Sequence, residues 1–309
     1  MGQSSPSSRP DIHATRPVPV RHPARWIGGA ALFLFVFLFV RLLVTNENLQ
    51  WPVVAHYMLS PEILKGLGRT LLLTFLAMIF GLAIGVVLAV MRLSSNPVFR
   101  AASWLWIWFF RGVPPLVQLV FWYNLALLIP TVSIGIPFGP QFWEASTNQL
   151  ITPFSAAILG LALTESAYAS EMIRAGIQAI SVGQTEAAAT LGMTRAQILR
   201  RIVLPQALRI LIPPIGNDTI SMLKFTSLVS VLALPDLLYS AQMIYSRTYQ
   251  TIPLLIVATI WYLILSTVLT FAEHYIEHRL NGRPLALSAV LSSLFKSKFW
   301  SLRRHEARS

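Results

Sequence analysis

Long apolar segments constrain this chain more than any other feature of its sequence. Five of them are long enough to cross about 30 Å of hydrocarbon as helices, and a sixth is more polar. Only 12% of the residues are charged, whereas a soluble domain has about 25%. We therefore predict an all-α membrane protein with six transmembrane helices, at Ile27–Val44, Gly66–Met91, Ala101–Pro130, Pro153–Ala175, Leu211–Leu234 and Ile252–Phe271.

The distribution of Lys and Arg indicates how these helices are oriented. If the N-terminus is cytoplasmic, the cytoplasmic segments hold 18 of the 24 Lys and Arg residues. The predicted outer loops 45–60 and 131–152 hold none, and the loop 235–251 holds only Arg247. Because cytoplasmic loops are enriched in Lys and Arg, both termini are predicted to be cytoplasmic. The net charge of +12 is then explained by topology and does not indicate nucleic-acid binding.

The two ends of the chain differ from its centre. Residues 1–26 are rich in Ser, Pro and Arg without an apolar period, which predicts a disordered cytoplasmic N-terminus. The first apolar segment, 27–44, is not followed by a small-residue cleavage site, so we interpret it as an extra transmembrane anchor and not as a signal peptide. Residues 276–309 are predicted to be a basic cytoplasmic tail. Its stretch 287–300 either lies on the inner leaflet or is a frayed end.

The third segment contains a predicted break. Its 30 residues would make a helix of about 45 Å, which is too long for a bilayer. Two prolines in Arg111–Pro115 predict a kink or an elbow at the membrane surface. We interpret Trp104, Trp106 and Trp108, which precede the break, as an interfacial belt.

The longest predicted cytoplasmic loop, residues 177–207, has the pattern of two short helices. Two Ser/Thr-x-x-Gln capping boxes mark their starts, at Ser181–Gln184 and Thr194–Gln197. Gly192 suits the left-handed end of the first helix, and Pro205 is predicted to stop the second. Small apolar residues give the pair a surface suited to a groove on a cytoplasmic partner, and these are Ala187, Ala188, Leu191, Ile198 and Ile202.

Seven residues of this loop stand at fixed spacing, and they are Glu186, Ala187, Ala188, Gly192, Ile202, Leu204 and Pro205. This pattern resembles the EAA loop of ABC importer permeases, the type I transmembrane subunits. The stretches 167–177, 205–217 and 224–228, together with Arg111–Pro115, resemble the polar amino acid branch of that family.

The resemblance implies both a fold and a function. Residues 66–275 would form an ABC transporter transmembrane type-1 domain, in which the last five helices are the permease core. The chain would be the permease subunit of an ATP-driven, binding-protein-dependent importer for polar amino acids in a bacterial inner membrane. Its EAA loop would couple ATP hydrolysis by a partner to solute movement.

The same resemblance implies the partners. They are a cytoplasmic ABC ATPase dimer, a second permease subunit that is like or unlike this one, and an extracytoplasmic solute-binding protein. The chain itself has no Gly-x-x-x-x-Gly-Lys-Ser/Thr motif, so we expect no ATP hydrolysis, no bound cofactor and no enzymatic activity of its own. Without cysteine, and with six histidines in the termini, in loops or just past the last span, we also expect no metal site and no His-assisted catalysis in the membrane.

Polar residues inside the predicted spans are candidates for the translocation path. An ionisable residue at the bilayer centre costs about 2.5–3.5 kcal/mol, which favours a position facing protein or water. The candidates lie on the fourth and fifth spans and are Thr164, Glu165, Tyr168, Glu171, Asn217, Asp218, Ser221 and Lys224.

Two interpretations of these charges stay open. Glu165 and Asp218 attract a cationic group of the solute while Lys224 meets its carboxylate, or an internal ion pair such as Glu165 with Lys224 holds two helices together and never meets the solute. Glu186 likewise either accepts bonds from amides at a helix start or contacts the ATPase.

Another class of transporter is the alternative to an importer permease. An ion-coupled secondary carrier of amino acids fits the apolar segments, but such carriers usually contain a repeated half and this sequence has no second copy of any segment.

Overall fold

The computed structural model describes residues 23–136 and 141–280, with side chains from residue 27 onward. Its described residues are mostly helical and divide into two units, which meet in the sequence between Gln50 and Trp51. Most of the predicted disordered N-terminus and of the predicted basic tail, including the stretch 287–300, lies outside the described residues.

One helix, α1 (Pro23–Thr45), makes up most of the first unit and covers the predicted first segment. It begins before Ile27 because proline is well tolerated in the first turn of a helix. Its described large apolar side chains are exposed along the whole helix; Ile27 near its start is 70% exposed and Val44 near its end is 63% exposed. A helix that is apolar all round and bare within its own unit has the character of a membrane span. A 3₁₀ turn, Glu47–Leu49, follows it.

The second unit contains all the other elements. In chain order they are α2 (Trp51–Tyr57), α3 (Pro61–Leu93), α4 (Pro97–Gly112), α5 (Pro115–Tyr123), a 3₁₀ turn (Leu125–Leu127), β1 (Thr131–Gly135), β2 (Gln141–Ser146), α6 (Thr147–Leu150), α7 (Pro153–Gln178), α8 (Val182–Thr190), α9 (Arg195–Ile198), a π-helical segment (Leu199–Val203), α10 (Leu204–Phe225), a 3₁₀ segment (Thr226–Leu232), α11 (Leu237–Thr248) and α12 (Thr251–Leu280).

Helices α3 and α7 pack side by side at the centre of this unit. Both begin with a polar cap followed by proline at the first helical position, which is the preferred helix start. Small residues let their backbones approach closely, since a Cβ added at Gly85 would lie 2.7 Å from the Cβ of Ala169. Close packing of small residues is the usual way in which membrane helices associate.

The predicted third span consists of α4 and α5, which are bent by 100° at a short break. Val113 has an extended backbone (φ −92°, ψ 129°), as expected for a residue that precedes proline. The side-chain amide of Gln118 closes the corner by donating to the carbonyls of Phe110 at 3.0 Å and Val113 at 2.9 Å. The predicted break within Arg111–Pro115 is therefore confirmed.

A β-hairpin follows α5, so the prediction of an all-α fold is wrong for this loop. Strands β1 and β2 pair antiparallel, and the register shifts between Ile134 and Gly135. Strand β1 alternates the β-branched apolar residues Val132 and Ile134 with polar or small ones, a period that favours strand over helix, and β2 contributes the aromatic residues Phe142 and Trp143.

Apolar residues from several helices form the cores of the unit. One cluster joins α3, α5, α7, α10 and the 3₁₀ segment through Leu73, Leu119, Leu161, Met222 and Val229. A second cluster joins α2, α3, α11 and α12 through Val54, Ile63, Leu237, Leu254 and Val257.

The described helices support between three and five membrane spans on length and apolar character. Three single helices qualify, namely α1 from Ile27 onward, α3 and α12. Two more spans are obtained if each bent pair counts as one span, and these pairs are α4 with α5 and the run Arg195–Leu232 with α11. Helix α7, the predicted fourth span, is not among these. It is surrounded by other helices, with 13 of its 26 residues buried, and this burial accounts for its small and polar side chains.

Candidate functional site

The loop at residues 177–207 folds into a helical hairpin with a tight turn between its arms. Gly192 has φ +77°, in the left-handed region. Its amide donates to the carbonyl of Ala189 at 3.0 Å, and the amide of Met193 donates to the carbonyl of Ala188 at 3.2 Å. These two bonds are those of a Schellman motif at a helix end. The predicted left-handed glycine is confirmed.

Only the second of the two predicted capping boxes is present. The Thr194 amide donates to the Gln197 side chain at 2.8 Å, and the Gln197 amide donates back to the Thr194 hydroxyl at 3.4 Å. At the first helix, Ser181 makes no side-chain cap, so that prediction is wrong. The Gln184 side chain instead accepts a bond from Gln206 at 2.6 Å, which ties the two arms of the hairpin together.

The prediction that Pro205 stops the second helix is also wrong. The chain stays helical from α9 through the π-helical segment into α10, which continues to Phe225. Proline has no N–H and crowds the carbonyl four residues earlier, and the wider π turn just before it relieves this conflict. One helical run therefore connects the hairpin directly to the predicted fifth span.

Most of the seven motif residues face outward from the hairpin. Glu186, Ala187, Gly192, Leu204 and Pro205 are exposed and Ile202 is half-buried. Ala188 is an exception at 3% exposure, so its prediction as part of a docking surface is wrong. It lies inside the hairpin, where its carbonyl accepts the closing bond of the turn. Leu191, 83% exposed at the tip, is the most prominent apolar side chain of the loop.

Glu186 does not act as a helix-start anion. Helix α8 begins at Val182, and its first turn contains no acidic residue. Glu186 lies one turn further on and is exposed. Since the helix dipole acts only within the first turn, the interpretation of Glu186 as a cap is wrong, and its contact with the ATPase stays a prediction.

Two acidic residues meet in the interior between α7 and α10. The carboxyl groups of Glu165, 2% exposed, and Asp218 lie close enough to interact. Room for Glu165 comes from Gly81 on α3, where an added Cβ would clash with the Glu165 Cγ. Among the described residues, neither Glu165 Oε1 nor Asp218 Oδ2 has a hydrogen-bond partner.

The predicted ion pair between Glu165 and Lys224 is not formed. Lys224 is exposed and lines a cavity of about 290 Å³ between α10 and α12, with Ser227, Thr259, Tyr262 and Ser266. Glu165 faces Asp218 instead because the α3–α7 contact at Gly81 directs it inward.

The other predicted path residues on α7 divide between packing and a cavity. Thr164 is 3% exposed and donates to Gln118 of α5 at 2.9 Å and to the Gly160 carbonyl at 2.8 Å. Tyr168 is 40% exposed, and Glu171 accepts two bonds from Arg174, at 3.0 and 2.6 Å. Thr164 thus joins helices, while Tyr168 and Glu171 remain open to a space beside α4.

This cavity of about 530 Å³ is lined by two arginines that the search for path residues missed. The Arg111 guanidinium lies 5.2 Å from the centre of the Tyr168 ring, and Arg92 lies 3.7 Å from Glu171. Local sequence places Arg111 in the break after α4 and Arg92 in a basic loop, and no pattern in the sequence brings them together. The cavity can accept an anionic group.

The two remaining candidates on α10 bond mainly to their own helix. Ser221 donates to the Asn217 carbonyl at 3.0 Å, and the Asn217 side chain lies 3.5 Å from the Pro213 carbonyl. Asn217 is exposed and Ser221 is half-buried, so both can reach a partner or a solute.

The three tryptophans of α4 do not form a single belt. Trp104 and Trp108 are exposed and stack with ring centres 6.4 Å apart. Trp106 points to the interior and donates to the Ser166 hydroxyl at 3.0 Å. The belt prediction is therefore wrong for Trp106, whose ring nitrogen joins α4 to α7.

Residues 81–282 match the family model described as the binding-protein-dependent transport system inner membrane component. The chain belongs to this family. It is 40% identical over 274 residues to an arginine transport system permease protein of Corynebacterium glutamicum, covering 88% of this chain and 85% of that protein. It is 36% identical over 240 residues to an L-cystine transport system permease protein of Bacillus subtilis, covering 77% and 94%.

Solved structures agree on the fold of this inner membrane component. An amino acid ABC transporter matches with a TM-score of 0.61 and 37% identity, covering 71% of this chain and 94% of the other. A methionine ABC transporter in an inward-facing conformation matches with a TM-score of 0.57 at 20% identity, which supports the fold alone. The ABC type-1 permease fold is thereby confirmed.

Membership of the family settles the class of the protein. The chain is a multi-pass inner membrane permease subunit of an ABC importer and not an enzyme. The ion-coupled secondary carrier is left without support.

Proposed function

We propose that this permease subunit imports amino acids that carry a cationic side chain. One observation carries the choice of charge. The carboxyl groups of Glu165 and Asp218 meet between α7 and α10, and no salt bridge of either is found in the described part of the chain. A planar guanidinium or an ammonium group is the natural partner of such a pair. The 40% identity to an arginine transport permease supports the same choice.

The solute's carboxylate has a site of its own in this proposal. The cavity beside α4 contains Arg92 and Arg111, and its Glu171 bonds to Arg174 and lies 3.7 Å from Arg92. Arg111 forms no salt bridge with any described residue and is therefore the main anion-binding group of the cavity. An arginine binds a carboxylate through two parallel hydrogen bonds. The path thus offers acidic groups to the side chain of the solute and basic groups to its backbone end. Tyr168 lines the same cavity as the two arginines, whereas Lys224 lines a separate cavity between α10 and α12. Asn217, Ser221 and Lys224 are further candidates for contact with the solute.

The helical hairpin is proposed as the coupling element. Its exposed residues, among them Glu186 and Ala187, would sit in a groove of the ATPase. The helices α9 and α10 are continuous through the π-helical segment, and Asp218 lies about 35 Å along this run from the start of α9, at 1.5 Å per residue. A push on the helical hairpin would therefore be transmitted to Asp218. That motion changes the distance between Asp218 and Glu165 on α7, and so opens or closes the acidic pair.

The full assembly is proposed to follow the family pattern. Six spans with both termini in the cytoplasm would form half of a channel, with residues 66–275 as the type-1 core, 27–44 as an added anchor and 276–309 as a basic tail. A second permease subunit would complete the channel. An ATPase dimer would supply the energy by hydrolysing ATP, and an extracytoplasmic protein would deliver the solute.

Uptake by the reconstituted complex tests the proposed charge preference. Glu165→Gln should lower the ratio of arginine to glutamine uptake by about 10-fold or more, since one charged partner of the guanidinium is lost. Glu144→Gln, on strand β2 of the exposed β-hairpin, is the matched control and should leave the ratio unchanged. An unchanged ratio in Glu165→Gln, at normal expression and assembly, contradicts the proposal.

A further inference from the structure

The β-hairpin after α5 has one apolar and one polar face. Residues directly opposite each other in an antiparallel pair project to the same side. The register therefore places on one face the pairs Val132 with Ala145 and Ile134 with Trp143. The pairs Thr131 with Ser146 and Ser133 with Glu144 share the other face.

The apolar face is bare. Ile134 is 63% exposed, Trp143 44% and Val132 36%, so the described residues do not cover it. Phe142, at the register shift, is also 71% exposed. An isolated two-stranded hairpin is at best marginally stable in water and needs a surface on which to pack. The strands therefore require a partner that the described chain does not supply.

The hairpin continues the apolar surface of a bent membrane segment. The residues immediately before it are exposed too, Leu127 at 81%, Leu128 at 68% and Ile129 at 48%. Its base is tied to this surface, because the Thr147 hydroxyl donates to the Ile129 carbonyl and the Thr147 amide donates to the Pro130 carbonyl at 3.0 Å. What covers residues 127–129 therefore lies beside the base of the hairpin as well.

The charge of the β-hairpin and its unpaired strand edges indicate how deep in the membrane it can lie. Residues 131–152 contain no Lys or Arg, and Glu144 is on the polar face. The unpaired outer edges of two strands cannot enter hydrocarbon, where their N–H and C=O groups would find no partner. In the headgroup region water satisfies the edges, and tryptophan prefers this region to either phase.

We propose that the apolar face of the hairpin lies in the headgroup region of the bilayer at the outer end of α5. Val132, Ile134 and Trp143 enter the boundary of the acyl chains, and Ser133 and Glu144 face water. The hairpin then anchors the outer end of α5 at a fixed depth. This inference rests on the proposed topology, which places residues 131–152 outside the membrane, and not on the identity of the solute.

Spin labelling tests the proposal directly, because the chain contains no cysteine. Ile134→Cys and Ser133→Cys are neighbours on opposite faces of one strand and serve as matched controls. Each is labelled with a nitroxide in the assembled transporter in nanodiscs, and its collision rates with oxygen and with a water-soluble nickel chelate are measured. We expect the nickel rate at position 134 to be at least 5-fold lower than at 133, and the oxygen rate to be higher.

Other outcomes overturn the proposal. Equal nickel rates at both positions would place the apolar face in water. Protection of position 134 that arises only when the purified binding protein is added would make that protein the partner. Protection of both positions would contradict the two-faced placement. ATP-driven uptake, measured on the same preparations, reports separately on the transport proposal.

Discussion

Substitution of Gly192 offers the sharpest test of the coupling hairpin. The residue sits at φ +77°, and a Cβ added there meets nothing within 4 Å. Any loss on substitution therefore arises from the backbone conformation and not from a clash. For a residue with a Cβ the left-handed region costs about 1–2 kcal/mol, which corresponds to a factor of about 5–30 in population.

The expected effect follows the left-handed preference of each residue. Gly192→Ala should weaken binding of the ATPase to the permease by about 5- to 30-fold, and Gly192→Val should weaken it more. Gly192→Asn should weaken it least, because asparagine visits this region readily. Titration of detergent-solubilised permease with the purified ATPase measures the affinity, and ATP-driven uptake measures the consequence.

A second glycine in the same hairpin provides the control. Gly183 lies inside α8, and a Cβ added there meets only the Ser181 hydroxyl at 3.7 Å, an ordinary contact. Gly183→Ala should keep or improve the affinity, since alanine favours helix over glycine by about 1 kcal/mol. If Ala, Asn and Val at position 192 bind equally well, the left-handed turn is not what presents the hairpin to the ATPase, and the reasoning fails.

Three further predictions concern packing, capping and topology. Gly85→Val should lower the melting temperature through overpacking of about 1–3 kcal/mol, since its Cβ would lie 2.7 Å from that of Ala169. Gly68→Ala should leave the melting temperature unchanged, because a Cβ added there meets nothing within 4 Å. Equal effects of the two substitutions would contradict the close α3–α7 contact. Thr194→Ala should speed amide exchange in α9 by removing a cap worth about 1 kcal/mol, whereas Ser181→Ala should change α8 little; the reverse order would contradict the observed caps. In intact cells, an impermeant thiol reagent should label Glu144→Cys and not Glu186→Cys, and labelling of both or only of the latter would refute the proposed orientation.

Local backbone signals carried most of what the sequence predicted correctly. The break at Arg111–Pro115, the left-handed Gly192 and the Thr194 capping box each depend on residues within a few positions of each other. The physical preference of proline, glycine or threonine acts there regardless of the surrounding fold. These features therefore agree between sequence and structure.

The errors came from contacts between distant parts of the chain. Ser181 makes no side-chain cap, since the Gln184 amide donates to the Ser181 carbonyl at 3.1 Å, and the reciprocal bond is missing because the Gln184 side chain reaches Gln206 across the helical hairpin. Trp106 leaves the predicted belt because its indole N–H donates a hydrogen bond to the Ser166 hydroxyl of α7. Pro205 continues a helix because the preceding turn widens, a change that local propensity does not indicate. Such choices depend on which helices become neighbours, and that is decided by packing of the whole unit.

The candidate path shows the same contrast between local features, which the sequence predicts, and contacts between distant residues, which it does not. The sequence identified the polar side chains of α7 and α10, but not their partners. Glu165 meets Asp218 only because Gly81 of a third helix leaves room for it. Arg111 reaches Tyr168 because α4 packs against α7, a contact that the bond from Trp106 to Ser166 also makes.

The central claim is mechanical, namely that the coupling hairpin and α10 move as one rigid helix. A distance measurement between spin labels at Ala196→Cys and Phe225→Cys tests it in the assembled transporter, with and without trapped nucleotide. The account predicts that this distance, roughly 43 Å along the helix, stays constant while the distance from Ala196→Cys to Ala175→Cys on α7 changes. A change between positions 196 and 225 on nucleotide binding would place a hinge within this helical run, at the π-helical segment or at Pro213 and Pro214 inside α10, and would contradict rigid coupling.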